Sequence, residues 1–156
     1  MSASTKVMVG DLYEQDFYAW AIKNAQLIRG GQFSQIDASN VAEELESMGR
    51  RERRELFSRM RILLAHLLKW AGQPEERSTN WKATITTQRS EIECLLRDSP
   101  SLKRILTKEV SDAYVSAVAL ASVETGLRKS NFPADCPYAL EQFLNDDFWP
   151  DKSLFG

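Results

Sequence analysis

The stretch EELESMGRRERRELFSRMRILLAHLLKWAGQP runs from Glu43 to Pro74 and holds six arginines, the only histidine and one of four tryptophans. Its apolar residues decide the fold. Leu45, Met48, Leu56, Met60, Leu63, Leu64, Leu67 and Trp70 recur at helical spacing, with one gap of two turns between Met48 and Leu56, as on an amphipathic α-helix. Val41 extends the stripe upstream and Asp37 supplies an N-cap. Gly72 and Pro74 close the helix after Ala71. One helix over residues 38–71 would be roughly 50 Å long at about 1.5 Å per residue, more than a compact domain of this size usually needs. Gly49 interrupts it at a cost of about 1 kcal/mol relative to alanine, so a bend or break is expected there.

The punctuation on either side is also helical. Asp11 and Glu14 have capping-box spacing, Gly30-Gly31 supplies a stop, and Tyr13, Phe17, Trp20, Ala21, Asn24 and Leu27 recur between them. Ser78 to Asn80 offer caps for a helix striped by Trp81, Ile85, Ile92 and Leu96. Ser99 as N-cap and Pro100 at the first helical position predict the next start. That helix carries Leu102, Ile105, Leu106, Val110, Ala113, Ala117, Leu120 and Ala121, and Gly126 ends it. Its alanines allow a neighbouring helix to approach closely. Pro137 is read as opening a short helix through Asn145, and Phe148 and Trp149 either pack or fray. The expected fold is all-α. It is an antiparallel bundle of about four main helices, one of them long and bent at Gly49, plus a short C-terminal helix. Residues 11–150 form the single domain, 1–10 a frayed N-terminus and 151–156 a tail.

The chain has 156 residues, 43% of them apolar and 27% charged, which is ordinary for a soluble domain. No membrane helix or export signal is evident, and the two cysteines suit a reduced, cytoplasmic setting. A net charge of -2 argues against a dedicated polyanion binder. No cofactor or metal is implied, and no phosphate loop or nucleophile elbow is present.

Six segments also resemble a known family: LYEQDFYAW, EELESMGRRERREL, HLLKWAGQP, TNWKATITTQR, DSPSLK and FPADCPYALEQFLNDDFWP. In this order they are similar to bacterial domain-of-unknown-function family 29, over roughly residues 11–150. The resemblance implies a mostly helical, intracellular bacterial protein, and carries no activity, cofactor or catalytic residue. Ala71-Gly72 stands where the family is associated with bulkier residues.

The polar residues sharpen where chemistry would have to sit. Glu44, Glu55 and His66 are eleven residues apart and share one helix face, but eleven residues also rise about 16 Å. They cannot meet on one ion, since zinc–ligand distances are about 2 Å. A catalytic cluster must therefore recruit other helices. Arg89 and Glu124 interrupt apolar stripes, and an inward charge is costly unless paired. The candidate cluster is thus Glu43, Glu44, His66, Arg89 and Glu124, set against the plainer reading of ion pairs that hold helix register. Glu43 with Glu46, and Glu109 with Asp112, have the spacing of magnesium-binding acidic pairs. Glu46–Arg50 and Glu55–Arg59 have instead the i,i+4 spacing of surface ion pairs. Residues 50–61 carry six arginines against Glu52 and Glu55, a net of +4. With glutamates interleaved and no helix-turn-helix or aromatic platform, a solvated helix face is the stronger reading.

The leading reading is a cytoplasmic interaction module with a protein partner, or a homo-oligomer built through the long helix. The alternatives are a metal-assisted hydrolase using the polar cluster, and nucleic-acid contact through Arg50 to Arg61.

Overall fold

The computed structural model describes residues 9–152 and Phe155. Among these the regular structure is entirely helical: α1 Val9–Gln15, α2 Phe17–Arg29, α3 Ala38–Gly72, α4 Thr79–Asp98, α5 Leu102–Thr125 and α6 Leu140–Phe143. No described helix is long and apolar enough to cross a membrane. Residues 1–8 of the expected frayed N-terminus lie outside the described residues, as do 153, 154 and 156 of the tail. The chain divides into two compact units, one ending at Arg51 and one beginning at Glu52.

In the N-terminal unit, the first expected helix is two helices. Asp16 separates them, because its carboxylate accepts from the Ala19 amide at 3.0 Å and so caps α2, while Asp11 lies inside α1. Gly31 takes the left-handed conformation that ends α2 (φ 71°), and the Gln32 amide returns to the Leu27 carbonyl at 2.9 Å. The interior is small, formed by Trp20, Leu27 and Asn24. Asn24 ties α2 to the start of α3: its amide donates to the Trp20 carbonyl at 2.9 Å, and its oxygen accepts from the Asp37 amide at 2.8 Å. Asp37 precedes α3 as expected and accepts from the Trp20 indole at 2.9 Å and the Asn40 side chain at 2.8 Å. These bonds hold its carboxyl below the usual range, the Asn40 side chain most of all.

Helix α3 continues through Gly49 without a break. A one-residue penalty of about 1 kcal/mol is small beside the hydrogen bonds that an interruption would forfeit. Leu56, Met60, Leu63, Leu64, Leu67 and Leu68 are fully buried in the C-terminal unit, whereas Leu45 is 62% and Met48 58% exposed. One periodic stripe thus has a buried part and an exposed part.

The C-terminal unit is a helical bundle. Ser78 caps α4 by accepting from the Trp81 amide at 3.1 Å, and Ile85 and Ile92 are fully buried. The start expected at Ser99-Pro100 falls at Leu102. Ser99 is spent on ending α4, with its amide on the Leu95 carbonyl at 2.9 Å, and a turn intervenes before α5. Ala113, Ala117 and Ala121 form a wholly buried small-residue line on α5, and Gly126 closes that helix with φ 76°. The last helix spans only Leu140–Phe143, because Pro137 is followed by extended backbone at Ala139. Phe148 and Trp149 pack against the core. Phe155 lies over Gly72, where a Cβ would stand 3.1 Å from its ring, so the small helix exit makes room for an aromatic of the tail.

A Cβ added at Gly49 would meet nothing within 4 Å. Gly49→Ala is therefore expected to raise stability by about 1 kcal/mol in urea denaturation, through helix propensity alone.

Candidate functional site

Arg89 is the most buried charge in the described structure, at 3% exposure, and it stands on the apolar face of α4 between Ile85 and Ile92. A carboxylate was the expected partner. Instead, the guanidinium donates to three backbone carbonyls: Phe143 from Nε at 2.8 Å, Phe148 at 2.6 Å, and more distantly Asp146 at 3.4 Å. Its planar fork suits this task, since the 143–148 segment is largely irregular and its carbonyls need donors. Trp149 lies against the same group, with its ring centre 5.4 Å from Cζ. Burial lowers the Arg89 pKa, and the Asp146 charge opposes that effect.

A second group surrounds Lys69 on α3. Its side chain is 8% exposed, its Nζ is 2.6 Å from the Glu124 carboxylate of α5, and it also lies 4.7 Å from the Trp81 ring centre on α4. Glu124 thus has a partner from another helix. Lysine was the residue missed. Its signal was a charge enclosed in the apolar run LLKWA, which costs free energy unless answered. His66 lies one turn earlier on α3, and its Nδ1 is 2.9 Å from the Ile62 carbonyl. A carbonyl only accepts, so Nδ1 carries the proton, and the neutral ring keeps its lone pair on Nε2. Burial lowers the His66 pKa, Lys69 acts in the same direction, and the Ile62 bond and Glu124 oppose it.

Aromatic and cationic side chains continue from there. Trp70 and Trp149 pack at 4.7 Å between ring centres, Arg77 lies 4.9 Å from the Trp70 ring, and Lys82 lies 6.0 Å from the Trp149 ring. This surface joins α3, α4 and the C-terminal segment. Its cation–π contacts add roughly 0.5–2 kcal/mol each, according to exposure.

Of the five residues expected to cluster, Glu124 and His66 share the neighbourhood of Lys69, while Arg89 serves the C-terminal segment. Glu43 and Glu44 belong to the N-terminal unit. There Glu43 pairs with Arg50 at 2.7 Å, and Glu44 accepts from the Tyr13 hydroxyl, whose pKa is pushed up to about 12 chiefly by that bond. The acidic pairs are likewise answered by arginine: Glu46 lies 3.7 Å from Arg50, and Glu109 2.5 Å from Arg53. Arg59 approaches Glu55 at 3.5 Å and Glu91 at 3.9 Å, so half of the arginines in 50–61 face carboxylates. No group of three or more His, Cys, Asp or Glu side chains suited to hold a metal ion occurs among the described residues. Both cysteines are free, and burial pushes the Cys136 thiol up, away from thiolate chemistry. Two clefts of about 490 Å³ each open beside Phe132 and Pro133, and neither is lined by His66, Arg89 or Glu124.

With this geometry in place, comparison with known proteins identifies the chain. It belongs to the family described as Domain of unknown function DUF29, whose model matches residues 12–149. No curated protein and no solved structure matches it.

Two outcomes follow from the geometry. Arg89→Met should lower stability by about 3 kcal/mol in urea denaturation, since it strips the donors from one buried and two part-buried carbonyls. Arg89→Lys should recover only part of that loss, because a point charge cannot span the three acceptors. For His66 the folded pKa lies below the unfolded value of 6.5, so its contribution to stability is full above that pH and is lost as pH falls through the window beneath it. His66→Asn should flatten this part of the acid limb of a stability–pH profile.

Proposed function

We propose that the protein is an interaction module of the cytoplasm, and that its N-terminal unit presents the binding surface to another protein. One observation carries this reading. Nine large hydrophobic residues are exposed among the described residues, and seven of them precede Arg51: Phe17, Tyr18, Ile22, Ile28, Phe33, Leu45 and Met48. Single exposed apolar residues are commonplace, but a concentration of them marks a surface that is covered in use. The same unit buries only Trp20 and Leu27 as apolar side chains. On α2, Tyr18 and Ile22 stand one turn apart and the buried Trp20, Asn24 and Leu27 form a separate line, so this helix has a second, unburied apolar side. The free cysteines fit a reducing compartment.

The polar groups support structure more than turnover. Arg89 is saturated by carbonyls, Lys69 by Glu124, and most of the acidic side chains considered for catalysis by arginines. The test is a photo-crosslinking phenylalanine analogue placed at Tyr18 or at Ile22 in living cells. Discrete protein adducts are expected from both positions, and none from the exposed position Lys108 on α5. Absence of protein adducts at Tyr18 and Ile22 would overturn the reading.

A further inference from the structure

We infer that the exposed apolar strip of α3 between Val41 and Gly49 docks a second copy of this chain, with the two helices crossing antiparallel about a two-fold axis near Glu46–Ser47. This rests on the interaction-module reading and names one partner for it.

The strip begins with spacing. Val41, Leu45 and Met48 fall at i, i+4 and i+7 and therefore share a helix face. Ala42 and Gly49, seven residues apart, flank this face on one side, and all but Val41 of these five are exposed. No charge falls on the strip, in a segment where Glu43, Glu44, Glu46, Arg50 and Arg51 crowd the other positions. The small flank permits close approach, since a Cβ at Gly49 would still meet nothing within 4 Å.

Charge order selects the partner and its direction. Three acids, Glu43, Glu44 and Glu46, precede two bases, Arg50 and Arg51, and the change of sign falls between Glu46 and Arg50, around Met48. Set side by side in parallel, two such segments would face like with like. Set antiparallel, acid meets base at both ends, and Leu45 of each chain packs on Met48 of the partner subunit. The flank opposite the small residues makes this specific. Glu44 and Arg51 are seven residues apart and so lie about 20° from one another around the helix. In a two-fold antiparallel crossing these positions meet twice, Arg51 with Glu44 of the partner subunit. Arg51 has no ion pair among the described residues, and Tyr13 engages only one oxygen of Glu44. Arg50, on the far side, is already occupied by Glu43 and Glu46 of its own chain.

A crossing of three helical turns buries less than the usual 1,200–2,000 Å² of a stable interface, so dissociation on the order of 10 µM is expected. The measurement is sedimentation velocity on the full chain across that range, with circular dichroism to verify the helices. The wild type should pass from the 17.8 kDa monomer to twice that mass. Leu45→Glu with Met48→Glu should remain monomeric with unchanged helicity, because both side chains are exposed in the single chain. Glu44→Arg alone and Arg51→Glu alone should each be monomeric, and an equimolar mixture of the two should recover the dimer. A wild type that stays monomeric well above 10 µM overturns the second copy as partner. Adducts at Tyr18 and Ile22 would then still uphold the broader reading. A dimer indifferent to Leu45→Glu with Met48→Glu overturns the surface, and failure of the mixture to recover association overturns the antiparallel arrangement.

Discussion

The C-terminal unit depends on one buried guanidinium. Arg89 occupies a position on α4 that the apolar period assigns to the core, and no carboxylate among the described residues neutralises it by direct contact. Burying a charge in this way is costly unless each of its donors is used. Here donors are used on carbonyls of the last residue of α6 and of the segment that follows it, so one side chain satisfies backbone groups that helix hydrogen bonding leaves open. The docked segment brings Phe143, Phe148 and Trp149 against the bundle, and Trp149 in turn packs on Trp70 of α3. A charge that looks misplaced in its own helix is thus what holds an irregular segment to the core.

The same economy governs the rest of the unit. Lys69 is enclosed by the core yet is met by Glu124 and by the face of Trp81, which leaves its ammonium paired while its stem packs. The arginine-rich surface of α3 is likewise interleaved with carboxylates from its own helix, from α4 and from α5. Surface pairs of this kind contribute roughly 0–1 kcal/mol each and act more on solubility and register than on stability. What resembles a grip for polyanions in the bare composition is, at the level of contacts, half answered within the chain, by partners of Arg50, Arg53 and Arg59.

Helix α3 carries the functional contrast. Its apolar period is interrupted over residues 49–55, and of its two parts only the one from Leu56 onward is enclosed, while Leu45 and Met48 are exposed. Periodicity measures the capacity of a helix to bury a face; it does not specify what will cover that face. The N-terminal unit therefore pairs a small polar-stitched interior, built on Asn24 and Asp37, with apolar surface in excess of what that interior uses.

Helix existence, the N-caps at Asp37 and Ser78, the stops at Gly31 and Gly126 and the buried alanine line of α5 were legible in the sequence, because each depends on local backbone chemistry or on spacing within one element. The division at Asp16 and the delayed start of α5 were less legible, since two capping signals compete there within a few residues, and the continuity of α3 through Gly49 was missed because one glycine's penalty is small beside the helix bonds around it. The inward charge Arg89 was also identifiable, as a departure from an apolar stripe; Glu124, read the same way, is exposed and meets Lys69 from the rim. The partners of neither were legible. Carbonyls of residues 143–148 and the ammonium of Lys69 come from positions more than fifty residues distant, and only the folded chain brings them within hydrogen-bonding reach. Local periodicity determined which residues could be buried; tertiary packing decided which were, because burial and charge pairing are properties of two surfaces and a sequence element supplies only one.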